Sequence, residues 1–309
     1  MNEFSAKVLA FIILILVAII GALVQNLWWL FPGCIFSLLL LTEILAYVGG
    51  LHGEVTVILK LARSDFSYFF RTKWLMAILL SLNLSDMLVV ALVYKRMMSV
   101  DYFAYFVPAV IIMGLFAASL DTGRRVWLAL REGVIQYELS LPLSTQGIVL
   151  AYLLAGGAAA MVYSTSLMII ALIVLPAQSI LSALMLLPFL YVLAMGLAGL
   201  AAALAAVAST HGEFFFAFQN IMQGMLLTLS TVYYPIDVIK NILPPLIVSI
   251  VAANPLSLAA EALRQYTFAG MAIEGIFLAR ILLASIPFAI VGAVAYLWAL
   301  HKIQTEGKL

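Results

Sequence analysis

Residues 180–208 read ILSALMLLPFLYVLAMGLAGLAAALAAVA, an apolar run without one charged side chain. A helix needs about 20 apolar residues to cross roughly 30 Å of hydrocarbon, so this stretch has length to spare. Its apolarity is continuous rather than alternating, which excludes a barrel strand as the spanning element. Pro188 removes one backbone hydrogen bond within the run and permits a bend. From Leu197 to Ala208 nearly every residue is alanine, glycine or leucine, so neighbouring backbones can approach closely there.

Working outward, further apolar runs lie at 8–24, 29–49, 74–94, 103–121, 146–175, 214–232 and 276–300. Together they predict about eight transmembrane helices in an all-α polytopic membrane protein. Pro108 and Pro287 sit inside two of them. The composition agrees: of 309 residues 66% are hydrophobic and 9% charged, with mean hydropathy +1.19. A soluble domain carries about 25% charged residues to solvate its surface; here the solvent is lipid. A net charge of +1 offers nothing to nucleic acid. The lone Cys34, inside an apolar run, can form neither an internal disulfide nor a thiolate metal cluster. The run Val8–Val24 is too long for a signal peptide and lacks an A-x-A cleavage site, so a retained helix is expected.

Basic residues set the orientation. With both termini in the cytoplasm, the inner segments carry Lys7, Lys60, Arg63, Arg71, Lys73, Arg124, Arg125, Arg131, Lys302 and Lys308. The outer ones carry Lys95, Arg96, Lys240, Arg264 and Arg280. Ten against five is the predicted positive-inside bias.

Three segments between spans carry more than a connection. In His52–Lys73, apolar Val57, Ile58, Leu61, Phe66, Phe69 and Phe70 recur at roughly helical spacing between Lys60, Arg63, Ser64, Ser67 and Arg71. That pattern predicts a basic amphipathic helix in the membrane interface. Asp121–Thr145 is the most charged connection, with Glu132 and Glu138 near Arg124, Arg125 and Arg131 in sequence and Pro142 at its end. A short helix here would project beyond the lipid toward a soluble partner. In Ser230–Gly270, Pro235 suits the first turn of a short helix that Pro244–Pro245 stops. Asn254 then caps a further helix at Pro255, in which Glu261 and Arg264 share a face. The stretch predicts an outer re-entrant hairpin, covered by protein or lining a wet cavity.

These last two segments, in this order, resemble the ABC type-2 permease family, the membrane subunits of type V ABC exporters. The family's R-E-G…E-L…P-L-S pattern is matched by Arg131, Glu132, Gly133, Glu138, Leu139, Pro142, Leu143 and Ser144. Its outer Y/F-P…L-P…N-P-L…A-L-R pattern is matched by Tyr234, Pro235, Leu243, Pro244, Asn254, Pro255, Leu256, Ala262, Leu263 and Arg264. The resemblance covers about residues 54–300. It implies a permease domain over 51–309 with a six-helix core, preceded by two additional N-terminal helices in 1–50. It further implies an interfacial connecting helix and a coupling helix over Arg124–Glu138. Tyr234, Pro235, Asn254, Pro255, Glu261 and Arg264 would belong to an outer gate hairpin. Two permease copies, identical or related, would each bind a cytoplasmic ATPase. The pair would export an amphiphile such as a drug, lipid or glycolipid across the cell membrane.

No G-x-x-x-x-G-K-[ST] phosphate loop occurs, and the only Gly-Lys pair is Gly307–Lys308. ATP and Mg are therefore expected on a separate chain, and no cofactor on this one. Nowhere does a nucleophile accompany a base and an orienting acid, so no catalytic set is expected. His211 and Glu213 are too few for a metal site. Asp86, with Asn83 nearby, lies near the middle of the third expected span. Intramembrane carboxylates usually face a bundle interior or a wet pathway; Glu43, near a span end, has the interface within reach. The alternative reading is an ion-coupled secondary transporter with Asp86 as its coupling site. It requires interrupted helices in both halves, whereas interruption is clear only in the second. The aromatic group Phe214, Phe215, Phe216 and Phe218 reads first as an interfacial belt.

Overall fold

The computed structural model describes residues 54–71, 73–90, 92–93, 101–208 and 212–305. The expected N-terminal spans, with Cys34 and Glu43, lie outside these residues, as do Lys95, Arg96 and His211. The described chain contains helices and no strand. In order these are α1 (Val55–Arg71), α2 (Lys73–Ser85, continued by a π-helical turn, Asp86–Val90), α3 (Tyr102–Arg131), α4 (Val134–Ser140), α5 (Thr145–Val174) and α6 (Ile180–Val207). There follow α7 (Gly212–Thr228), α8 (Ile236–Ile242), α9 (Pro245–Ala253), α10 (Pro255–Ala262, continued by a π-helical turn, Leu263–Phe268) and α11 (Gly275–Thr305).

Helices α3, α5, α6 and α11 are long and apolar enough to cross a membrane, and the bent pair α9–α10 makes a fifth if counted as one span. This is the architecture of a multi-pass helical membrane protein. Helix α6 is central and packs against α11, α3 and α5. Its small-residue stretch allows the close approach expected of it. A Cβ on Gly292 of α11 would stand 2.7 Å from the Leu200 nitrogen and 2.8 Å from the Gly196 oxygen. Only glycine admits that backbone-to-backbone contact.

Three elements depart from the expected boundaries. Helix α3 does not stop at 121 but runs to Arg131, because Asp121, Arg124 and Arg125 pair along the helix instead of breaking it. It ends where Gly133 turns left-handed, with φ of 77°, a conformation that costs glycine little. Helix α7 stops at Thr228, short of 232, and at 17 residues is brief for a crossing. Ser230 Oγ donates to Leu227 O (2.5 Å) and accepts from Val232 N (3.2 Å), side-chain bonds that compete with the helical ladder. The third expected span is a 13-residue helix followed by the π-helical turn that opens at Asp86.

Helix α1 forms within the segment expected to be amphipathic. Its buried residues Ile58, Ala62 and Phe69 are covered by protein, while Lys60, Arg63, Ser64, Ser67 and Arg71 are exposed. The helix lies against α5.

Candidate functional site

At one end of the bundle, charged side chains from α1 and α3 interlock. Arg125 donates to the carboxylate of Asp65 on α1, and again to the Asp65 carbonyl at 3.2 Å. It reaches Thr122 Oγ1 at 3.1 Å and the Asp121 carboxylate at 3.5 Å. Arg124 bonds the same Asp121 through Nε (2.6 Å) and Nη2 (3.2 Å). A guanidinium can serve several acceptors in one plane, and here one guanidinium ties α1 to α3. A second tie holds the start of α1: Ser144 donates through its backbone N and its Oγ, both at 2.8 Å, to Glu54 Oε2. Ser144 Oγ meanwhile accepts from Gly147 N and caps α5.

Helix α4 is seated on α5 by Glu138, whose two carboxylate oxygens accept from Tyr152 Oη at 3.3 and 3.1 Å. Burial pushes the Glu138 carboxyl up to about 7; the Tyr152 bond opposes this and the Asp65 charge adds to it. Burial likewise raises the Asp65 carboxyl, against the pull of Arg125. Between α1, α3, α4 and α5 lies a cavity of about 130 Å³, lined by Asp65, Arg125, Glu132, Glu138 and Tyr152 among others.

The five residues expected in a partner-facing loop therefore divide. Arg131 and Glu132 are exposed at the end of α3, and Arg131 stacks on Trp127 at 5.3 Å. Arg124 is partly exposed, whereas Arg125 and Glu138 turn inward and are buried. Tyr137 of α4 is 67% exposed beside them. Asp65, Glu54 and Tyr152 were not singled out from the sequence. The one available signal was Asp65, the only acid within the otherwise basic α1.

At the opposite end, α8, α9 and α10 follow one another as short helices over the stretch expected to form the hairpin, and α9 and α10 are bent by 62°, as a broken span or a re-entrant loop would be. Asn254 makes the bend. Its Oδ1 accepts from Leu256 N (2.9 Å) at the start of α10. Its Nδ2 donates to Leu226 O (3.0 Å) and Leu229 O (2.7 Å), closing the end of α7. Arg264 is buried and stacks over Tyr105 of α3, and it bonds Glu261 at 3.2 Å. Pro235 caps α8, and Tyr234 before it is exposed.

Asn83 is buried and donates to Tyr163 Oη at 2.9 Å. Asp86 stands half-buried one turn further along, and its carboxylate accepts no hydrogen bond from the described residues. No group of three His, Cys, Asp or Glu side chains that would suit a metal ion occurs among the described residues. In comparisons with known proteins, the chain matches no family model and no curated protein.

Proposed function

We propose that this chain is the membrane permease subunit of an ATP-driven exporter, working with a separate cytoplasmic ATPase. The observation that carries the reading is the charged end of α3. Thirty helical residues measure about 45 Å at 1.5 Å each, against roughly 30 Å of hydrocarbon. The surplus, in this reading, carries Arg131 and Glu132 beyond the lipid; both are exposed and adjoin α4 with its exposed Tyr137. In this reading α4 with the end of α3 is the coupling element, and closure of the ATPase pair pushes on it. Arg125 passes the push to α1 through Asp65 and to the body of α3, which carries it to the hairpin at Tyr105. The hairpin of Tyr234, Pro235, Asn254, Pro255, Glu261 and Arg264 is the outer gate. A second permease copy completes the path, and the cargo is an amphiphile drawn from the membrane.

The test is purification in mild detergent from the native host, with stoichiometric partners identified by mass spectrometry. A partner carrying a phosphate loop is expected, and Arg131→Glu with Glu132→Arg should release it. A clean preparation without an ATPase overturns the proposal.

A second reading rests on Asp86, a half-buried carboxylate opening a π-helical turn in an apolar helix. Such turns often accompany functional sites. An ion-coupled transporter using Asp86 would keep working without ATP and stop when the ion gradient collapses.

A further inference from the structure

Three carboxylates gather at the charged end, Asp121 and Glu138 buried and Asp65 nearly so, and two of them have cations. Asp65 and Asp121 face Arg125, and Asp121 also faces Arg124. Glu138 is 6% exposed and has no cationic side chain within salt-bridge distance among the described residues. Its hydrogen-bond partner is the Tyr152 hydroxyl. One neutral donor is poor compensation for a buried negative charge.

The neighbours do not supply the missing charge. From α1 come Asp65, Ser64 and Tyr68; from α3, Arg125 and Glu132; from α5, Tyr152. From α11 comes Tyr296, its ring edge-on to Tyr152 at 6.2 Å and its buried hydroxyl without a partner. Arg125 is the one cation in this set, and Asp65 and Asp121 already hold it. The cavity beside Glu138 also borders exposed Glu132 and Val134, which gives a proton from water a way in.

We propose that Glu138 is a proton-binding site, and that its occupancy sets how firmly α4 is seated on α5. The carboxylate takes one proton from hydronium: an O–H bond forms on Glu138, one breaks in the hydronium, and a water molecule is left. Protonated, the carboxyl is a neutral group that suits its burial, and α4 stays packed. Ionised, it draws water into the cavity and α4 loosens. The burial-raised titration near neutral pH places this change in the physiological range. Its consequence for ATPase docking, through Arg131, Glu132 and Tyr137 on the same end, rests on the proposed function; the proton site itself does not.

The experiment uses the full chain in nanodiscs, without any partner. Cys34→Ser with Tyr137→Cys provides one thiol on α4 for a trifluoromethyl probe, followed by fluorine resonance between about pH 5 and 9. A single titration with midpoint near 7 is expected. Glu138→Gln, an isostere of the protonated form, should hold the low-pH signal throughout. Asp65→Asn should lower the midpoint by removing a negative neighbour. Tyr152→Phe should raise it by removing the bond that favours the ionised form, and this variant carries the test if Glu138→Gln fails to fold. A parent signal independent of pH overturns the proposal, and so does a titration that survives unchanged in Glu138→Gln or Tyr152→Phe. Loss of the titration in a chain that still binds an ATPase would sink this inference and leave the proposed function standing.

Discussion

Arg264 lies face-on to Tyr105, its guanidinium carbon 3.6 Å from the ring centroid, and donates through Nε to the Tyr105 carbonyl at 2.9 Å. One residue of the hairpin thus holds both the side chain and the backbone of a residue 159 positions earlier. The same guanidinium donates through Nη2 to Thr231 O at 2.9 Å and Val232 O at 3.4 Å. The Tyr105 hydroxyl donates to Thr231 O as well. The irregular stretch after α7 therefore finds its hydrogen bonds in α3 and α10. That is the condition under which non-helical backbone persists in an apolar setting.

Arg264→Ala should cost about 3–5 kcal/mol, the range for removing one member of a buried charged network. It takes the guanidinium donor from Val232 O and one of two donors from Thr231 O, and leaves Glu261 without its cation, held by Gln265 Nε2 alone among the described residues. Arg264→Lys should recover less than half, since an ammonium offers neither the fork nor the stacking plane. Unfolding in a graded series of denaturing detergent measures both. Equal stability of Arg264→Ala and the parent would remove the guanidinium as the hairpin's anchor.

Gly292 and Gly224 make a matched pair. A methyl group at Gly292 meets backbone atoms of α6 at 2.7–2.9 Å, whereas one at Gly224 meets nothing within 4 Å. Gly292→Ala should push α11 off α6 and lower folded yield sharply. Gly224→Ala, in α7, should be neutral or add up to about 1 kcal/mol through helix propensity alone. Size-exclusion profiles and thermal stability of the two variants read the difference. Similar behaviour of the two would mean that α6 and α11 are not held at this distance.

Helices α5, α6 and α11 were legible because an apolar run of their length has one stable form in lipid, and their ends fall within a few residues of expectation. The breaks between α8, α9 and α10 were legible because Pro235, Pro244, Pro245 and Pro255 punctuate the stretch and Asn254 can cap. The length of α3 was not. Its last turns are charged, and charge reads as solvent until Asp65, 60 residues away, is known to face Arg125. The same holds for Glu138, which sequence places among arginines and structure places against Tyr152. Motif order locates a charged element, but the partner of each charge is a tertiary fact.

Arg125 serves two carboxylates from two helices, so its removal and theirs should not be equivalent. Arg125→Met leaves Asp65 without its cation, while Asp121 keeps Arg124, and should cost about 3–5 kcal/mol. Asp65→Asn removes one charge and keeps an acceptor for the guanidinium, and should cost less. The double variant should be more stable than the sum of the single costs predicts, with a coupling of about 1–3 kcal/mol. Stability measurements on the four proteins close the cycle. Strict additivity would show that α1 is not tied to α3 through this pair.

Stability should also depend on pH through Glu138, and the direction is fixed. Its carboxyl rises from an ordinary 4.5 to about 7 on burial, so the folded chain holds the proton more tightly than the unfolded one. The favourable contribution is complete below about 4.5 and is lost as pH rises through about 7. The full swing is on the order of 3 kcal/mol at 1.36 kcal/mol per pKa unit. Asp65, also raised by burial, adds in the same sense, so the parent curve alone does not isolate Glu138. The difference between the parent and Glu138→Gln does. The glutamine variant lacks the titration and keeps an oxygen for the Tyr152 hydroxyl, so the curves should diverge progressively above pH 4.5. They should run parallel again above pH 7, with the variant the more stable. Thermal midpoints of the two proteins in one detergent, taken in steps across this range, decide it. Curves parallel throughout would mean that Glu138 carries the same charge folded and unfolded, and the seat of α4 would then owe nothing to a proton.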